Sequence, residues 1–335
     1  MHPTNTYADR RAGTQRRRRS TAVLAGTAAV LALAGCGASA SATSHAVATS
    51  TAPPAATATG TAASGGAAAG NASATHSGNV VVLSAGSLDT VLTDTVGPAF
   101  HRATGYTLVD TSGGSGTLAA DIKNKVDAAD VFISAAPSIN ATLEGGANGN
   151  WVSWYATFAY SPYVLGYYPR SRFAKALRTR PWYAVVTLPG FRLGRTNPTQ
   201  DPGGVLAVAA LKTAARRYHL PTLARIAADP STEYEETAEQ AGIENGQLDA
   251  AFMYEADAIS QHSPYVPLTG APERGYYTIT LLNRAAHTAA AEAFIRFLLS
   301  PAGQRAFTAD RFGVVSPARV AGSGVPAALG SLLGK

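Results

Sequence analysis

Three serines stand where hydroxyls could meet an anion: Ser87 in Gly86-Ser87-Leu88, Ser115 in Gly113-Gly114-Ser115-Gly116, and Ser134 closing Asp130-Val131-Phe132-Ile133-Ser134. Small hydroxyls beside free backbone N–H groups at helix N-termini can hold an anion without lysine or arginine, because the unpaired donors and the helix dipole supply the positive end. Taken singly, each serine is also an ordinary helix cap beside turn-forming glycine. A nucleophilic serine is the competing use, but Gly113-Gly114-Ser115-Gly116-Thr117 lacks the second glycine of the strand-to-helix nucleophile turn. No phosphate loop with Gly-Lys-Ser/Thr occurs. The seven histidines, at 2, 45, 76, 101, 219, 262 and 287, show no metal-ligand spacing, so a zinc or manganese site is not expected.

These serines need strands and helices to present them. Val80-Val81-Val82-Leu83 is a continuous apolar run suited to a strand buried on both faces. Leu88, Val91, Leu92, Val96 and Phe100 then follow at helical spacing, closed by Gly105. Residues 106–109 extend, 118–126 have a helical pattern and 130–134 form a third strand, so the order is βαβαβ. That order predicts a parallel sheet with helices on both faces, binding ligand at the carboxyl ends of its strands, where Ser87, Ser115 and Ser134 fall.

Beyond Trp151, six aromatics (Tyr155, Phe158, Tyr160, Tyr163, Tyr167 and Tyr168) crowd a strand-like passage that reads as a crossover. A second α/β set follows: a strand at 191–194, the loop Asn197-Pro198-Thr199-Gln200-Asp201-Pro202-Gly203, and an alanine-rich helix to about Arg217. Next come a helix after Glu233, Glu235 and Glu236, a strand at 248–254, an extended return at 276–282, and an amphipathic helix at 290–299 stopped by Pro301. Two crossings of this kind give two lobes and a cleft closed by hinge motion. Lobe I is expected over 79–160 and 278–335, and lobe II over 161–277. In the sequence pattern alone Asp201 caps a helix beginning at Pro202, and Glu236 favours a helix N-terminus.

Ahead of this body, an arginine-rich head and an uncharged apolar stretch over 22–34 have the layout of a secretory signal. Leu33-Ala34-Gly35-Cys36 resembles the lipobox of bacterial lipoproteins, which implies a signal peptide over 1–35 and a diacylglycerol on Cys36. Residues 37–78 carry no charge and are almost wholly Ala, Ser, Thr and Gly, so they read as a disordered tether about 35 Å in root-mean-square span. The formal charge of +6 lies mostly in the head, where six Arg and one Asp leave +5; the body keeps +1. A nucleic-acid surface is therefore not expected. The body has no second long apolar run and reads as soluble.

Several segments together resemble the molybdate/tungstate-binding proteins of ABC importers, closer to the archaeal-type branch than to the bacterial molybdate branch. They are Leu83-Ser84-Ala85-Gly86-Ser87-Leu88, Ser115 with Thr117-Leu118, Asp130-Val131-Phe132-Ile133-Ser134-Ala135, the loop from Asn197, Leu248-Asp249-Ala250-Ala251-Phe252-Met253-Tyr254, and Phe294-Ile295-Arg296-Phe297-Leu298-Leu299-Ser300. The match covers essentially the whole body.

The resemblance implies an α/β, two-lobed periplasmic-binding-protein fold of the class II type, with parallel-sheet lobes joined by two crossover strands. It also implies an oxyanion held in the cleft by backbone N–H groups, at Gly86 among others, and by the hydroxyls of Ser87 and Ser115, with Tyr254 in contact. Asp201 and Glu236 would add carboxylate oxygens to the metal of the oxyanion, expanding its shell from four to six. Glu233, Glu235 and Glu239 are close enough to Glu236 for a one-residue slip to matter. Such carboxylates would repel a merely hydrogen-bonded anion, but they suit a hard, high-valent metal centre.

The expected protein is a lipid-anchored receptor on the outer face of a bacterial cell membrane. It is a monomer without a cofactor or enzymatic activity, and it passes molybdate or tungstate to a permease and its ATPase. Phosphate or sulfate as ligand, a surface serine hydrolase, and an adhesion or signalling lipoprotein are the alternatives.

Overall fold

The computed structural model describes residues 77–334; the signal segment, Cys36 and nearly all of the tether lie outside them. The strands are β1 Asn79–Ala85, β2 Thr107–Gly113, β3 Val131–Ser134, β4 Trp154–Tyr167, β5 Leu193–Thr196, β6 Glu233–Tyr234, β7 Ala250–Tyr254, β8 Tyr265–Pro267, β9 Glu273–Leu281, β10 Gly313–Gly322 and β11 Leu333–Gly334. The helices are α1 Gly97–Thr104, α2 Ser115–Asn124, α3 Pro137–Ala141, α4 Ala174–Thr179, α5 Trp182–Val185, α6 Pro202–Arg217, α7 Pro221–Ala228, α8 Glu236–Glu244, α9 Glu255–Ser260, α10 Thr288–Leu299 and α11 Pro301–Ala309.

The sheet runs β2-β1-β3-β9-β4-β7-β5-β6. β1 pairs in parallel with β2 and β3, and β5 in parallel with β6 and β7. Between these parallel sets stand β4 and β9, antiparallel to each other and to their other neighbours in that order, so the sheet as a whole is mixed. β4 pairs with β9 over its first part and with β7 from Tyr163 onward, so one strand passes from one half of the molecule to the other. β9 returns alongside it, pairing with β3 at its far end.

The local reasons are those of the chain. β1 is buried because its apolar run meets helices on both faces. Leu88, Val91, Leu92, Val96 and Phe100 are all buried along a helical stretch that is wound wider over Val91–Val96 before α1 begins. Burial of each such side chain contributes about 1.5–3 kcal/mol. Gly105 ends α1 at φ 83°, its N–H bonded to the His101 carbonyl at 2.8 Å, a left-handed cap that glycine adopts without strain.

One boundary differs from the sequence pattern, and one helix is additional to it. β5 begins at Leu193 rather than Phe191, whose ring packs on Phe173 instead (centroids 5.0 Å apart). α10 does stop at Leu299, ahead of Pro301 as expected, with Ser300 extended, but a further helix that the pattern does not show follows at once. Ser300 Oγ accepts from the Ala302 and Gly303 amides, and Pro301 becomes the first residue of α11.

Candidate functional site

The ends of β1 and β3 and the start of α2 form one wall of a cleft, and the elements around β5, β7 and α8 form the other. On the first wall, the chain turns sharply after β1 at Gly86. A β-carbon built there would lie 2.2 Å from Glu236 Oε2, so the missing side chain is what admits that carboxylate from across the cleft. Ser87 is buried, its Oγ 2.9 Å from the Tyr277 hydroxyl. One hydroxyl of this pair donates to the other, which leaves one proton of the two uncommitted. Ser115 opens α2 and is fully buried; its Oγ accepts from the Ala135 N–H at 3.1 Å, so its own proton remains to be donated. Ser134 differs. Its Oγ donates to the Ala136 carbonyl at 2.8 Å and pairs with Thr278 Oγ1 at 2.9 Å, which makes it a structural group.

The α2 N-terminus also departs from expectation. The Gly116 and Thr117 N–H groups, expected to be free for an anion, donate to the Gln200 carbonyl of the opposite wall at 2.8 and 3.2 Å.

On the second wall Asp201 occupies the N-cap position of α6, with Pro202 at the first helical position, yet its side chain makes no capping hydrogen bond. The Gly203 amide and Thr196 hydroxyl lie close enough to favour its charged form, but Thr196 Oγ1 remains without a hydrogen-bond partner. A β-carbon at Gly203 would meet Asp201 Oδ2 at 2.8 Å and the Tyr163 hydroxyl at 2.9 Å, so this glycine leaves room for both.

The glutamates sort themselves by partner. Glu233 binds the Arg195 guanidinium and Asn197 Nδ2, each at 2.8 Å. Glu235 caps α8, accepting from the Thr237 and Ala238 amides. Glu236, relieved of capping, is the one turned onto Gly86. Glu239, one turn along α8, is 3% exposed, with Oε1 unpartnered.

Tyr254 ends β7 with its ring edge-on to Tyr163 (5.0 Å) and tilted against Tyr277 (5.8 Å). It is 4% exposed and its hydroxyl has no hydrogen-bond partner, a costly state for a buried phenol unless a ligand supplies one. Asp257 of α9 is buried as well.

Burial raises the carboxyl pKa of Asp201, and it raises those of Glu236 and Glu239 well above the ordinary range, with Asp201 the next largest cause for both glutamates. The Asp257 carboxyl is pushed to about 7, chiefly by burial. The same acids push the buried Tyr163, Tyr254 and Tyr277 hydroxyls upward, again after burial itself. Arg195 is the cation that offsets Glu239, and its guanidinium is already tied to Glu233.

The structure thus gathers Gly86, Ser87, Asp201, Glu236 and Tyr254 around one closed cleft, with Ser115 at its edge on α2. The sequence reading names Glu239 only as a neighbour that a slip at Glu236 could select, and it gives no site role to Asp257, Tyr163, Tyr277 or the Gln200 carbonyl. Glu239 was accessible in principle, lying three residues past Glu236 on the same helical face. Among the described residues no group of three or more His, Cys, Asp or Glu is placed to hold a metal cation. The arrangement instead offers hydroxyl donors on one side and hard carboxylate oxygens on the other.

Among the described residues no helix is long and apolar enough to cross a membrane. Residues 80–312 match the model of the bacterial extracellular solute-binding protein family. An uncharacterized solute-binding protein of Halobacterium salinarum is 30% identical over 66% of this chain and 80% of its own length. A putative ABC transporter molybdenum-binding protein of Haloferax volcanii is 31% identical over 57% of this chain and 60% of its own. Among solved structures, the periplasmic molybdate-binding protein of Azotobacter vinelandii superposes with a TM-score of 0.54 at 19% identity, covering 70% of this chain and 98% of that one, a likeness of fold. The two-lobed α/β architecture and the match over residues 80–312 place the chain in the bacterial extracellular solute-binding protein family.

Proposed function

We propose that the protein captures molybdate or tungstate in this cleft and delivers it to an ABC permease driven by a cytoplasmic ATPase, with no chemistry performed on the ligand. The observation that carries the reading is the pair Asp201 and Glu236: Asp201 stands at the N-cap of α6 without a capping hydrogen bond, Glu236 is left free by Glu235 and lies against Gly86, and serine hydroxyls with protons to give belong to the Gly86 side. In their ionised forms two carboxylates offer a tetrahedral anion such as sulfate no donor and repel it. A metal oxoanion can take their oxygens into its own shell.

In this reading Gly86, Ser87, Ser115 and Tyr254 donate to the oxo groups, and Asp201 and Glu236 bind the metal. The hinge lies in β4 and β9, between a lobe of 79–160 with 278–335 and a lobe of 161–277. A lipid on Cys36 holds this monomer at the outer face of the membrane, and the tether lets it reorient.

Calorimetric titration with molybdate, tungstate, sulfate and phosphate tests the assignment. Tight binding of the two metal oxoanions alone is expected. Equal affinity for sulfate or phosphate would reopen the ligand.

A further inference from the structure

We propose that the Gln200 main-chain carbonyl, docked on the first amides of α2, is the latch that closes the cleft and sets Asp201 against the opposite wall, and that Gly114 and Gly116 are the clearance it requires. The inference rests on the reading of the cleft as the oxyanion site, because Gln200 is the residue immediately before Asp201.

The Gly116 and Thr117 N–H groups converge on one carbonyl oxygen at 2.8 and 3.2 Å, and these are hydrogen bonds between the two halves. An α-helix leaves its first amides unpaired, and a carbonyl oxygen carries the partial negative charge that they and the dipole favour. The turn that delivers the carbonyl is braced. The Gln200 and Asp201 amides both donate to the Asn197 carbonyl, Asn197 Oδ1 accepts from the Thr199 amide at 2.8 Å, and Asn197 Nδ2 is held by Glu233. Gln200 therefore reaches α2 from a fixed position, and docking it fixes Asp201 in turn.

The glycines mark how closely the two main chains approach. A β-carbon on Gly116 would lie 2.6 Å from the Gln200 oxygen and 3.0 Å from its carbonyl carbon; on Gly114 it would lie 3.0 Å from the same oxygen. On Gly113 it would meet only the Leu118 side chain, at 3.9 Å. Dihedral freedom does not explain Gly114, whose φ of −57° and ψ of 122° suit any residue, and Gly116 is not among the positive-φ residues. Glycine inside the first turn also weakens a helix relative to alanine. Its effect on local helix stability and its effect on closure thus have opposite signs, and this makes the latch testable.

The experiment is the series Gly113→Ala, Gly114→Ala and Gly116→Ala in the whole protein. Molybdate and tungstate affinity would be read by calorimetry, closure by small-angle X-ray scattering with and without ligand, and the melting temperature without ligand. Molybdate affinity should fall about 10- to 100-fold in G116A, less in G114A and within about twofold of wild type in G113A, since a forced main-chain shift raises the closed state relative to the open one. Loaded G116A should scatter as a more expanded particle than loaded wild type, while its ligand-free melting temperature is unchanged or raised. Wild-type affinity and compaction in G116A would overturn the latch, as would a loss in G113A equal to that in G116A. A wild-type protein that binds neither oxyanion would instead overturn the reading of the cleft.

Discussion

The two walls of the cleft are chemically opposite. The N-terminal wall presents glycine and serine: Gly86, the Ser87 hydroxyl shared with Tyr277, and the Ser115 hydroxyl with its proton uncommitted. The C-terminal wall presents acids, with Asp201, Glu236, Glu239 and Asp257 gathered beside buried tyrosines, and Arg195, the cation that offsets Glu239, is already paired with Glu233. A cleft built for a simple anion would place donors on both sides. This one donates from one wall and offers oxygen lone pairs from the other, which fits a ligand whose periphery is negative and whose centre is a Lewis acid.

The sharpest way to break the contrast is to strip the acidic wall. Asp201→Ala with Glu236→Ala should weaken tungstate binding by about a thousandfold or more, since a coordinating pair is lost. Sulfate should bind the variant no worse than wild type, because repulsion is removed; parallel calorimetry decides. On the donor wall, Ser115→Ala removes a hydroxyl that donates to a charged ligand and should cost about 10- to 100-fold. Ser87→Ala should cost less, since the Tyr277 hydroxyl remains beside the same spot.

Glu239→Gln keeps shape and hydrogen bonding while fixing a neutral side chain, and it should leave affinity near neutral pH within about threefold. A larger loss would mean that Glu239 acts as a charge.

A separate effect concerns stability. The Asp257 carboxyl titrates near 7 in the fold against an ordinary value of 3.8. Between those values the folded state holds a proton that the unfolded chain has released, so this group's contribution to stability falls as pH rises from about 4 to 7 and is constant above. Asp257→Asn should flatten that slope, and melting curves at a series of pH values would show it.

How much of this was written in the sequence differs between the walls. β1, β3 and the helical run from Leu88 to Phe100 follow from apolar periodicity, and Ser87 and Ser115 fall at strand ends as the βαβαβ order requires. Pattern alone makes Asp201 a helix cap, and the structure does place it at the N-cap; only the absence of a capping bond frees it for another use. Choosing among the glutamates needed three dimensions, because Arg195, the α8 amides and Gly86 each select a different one. The Gln200 carbonyl left no trace in side-chain chemistry, since a main-chain atom has no residue type. Its only sequence mark is the pair Gly114 and Gly116, which also reads as an ordinary turn. Burial of Glu239 and Asp257 is likewise a tertiary outcome. There Glu239 of α8 comes within electrostatic reach of Asp257 of α9.

X-ray absorption at the tungsten edge of the tungstate-loaded protein reads the central claim most directly, because it counts the oxygens around the metal. Coordination by Asp201 and Glu236 requires a shell expanded beyond the four oxygens of the free ion, returning to four in the Asp201→Ala, Glu236→Ala variant wherever that variant still binds. A four-oxygen shell in the wild-type protein would contradict it and leave the two carboxylates without a role in holding the ligand.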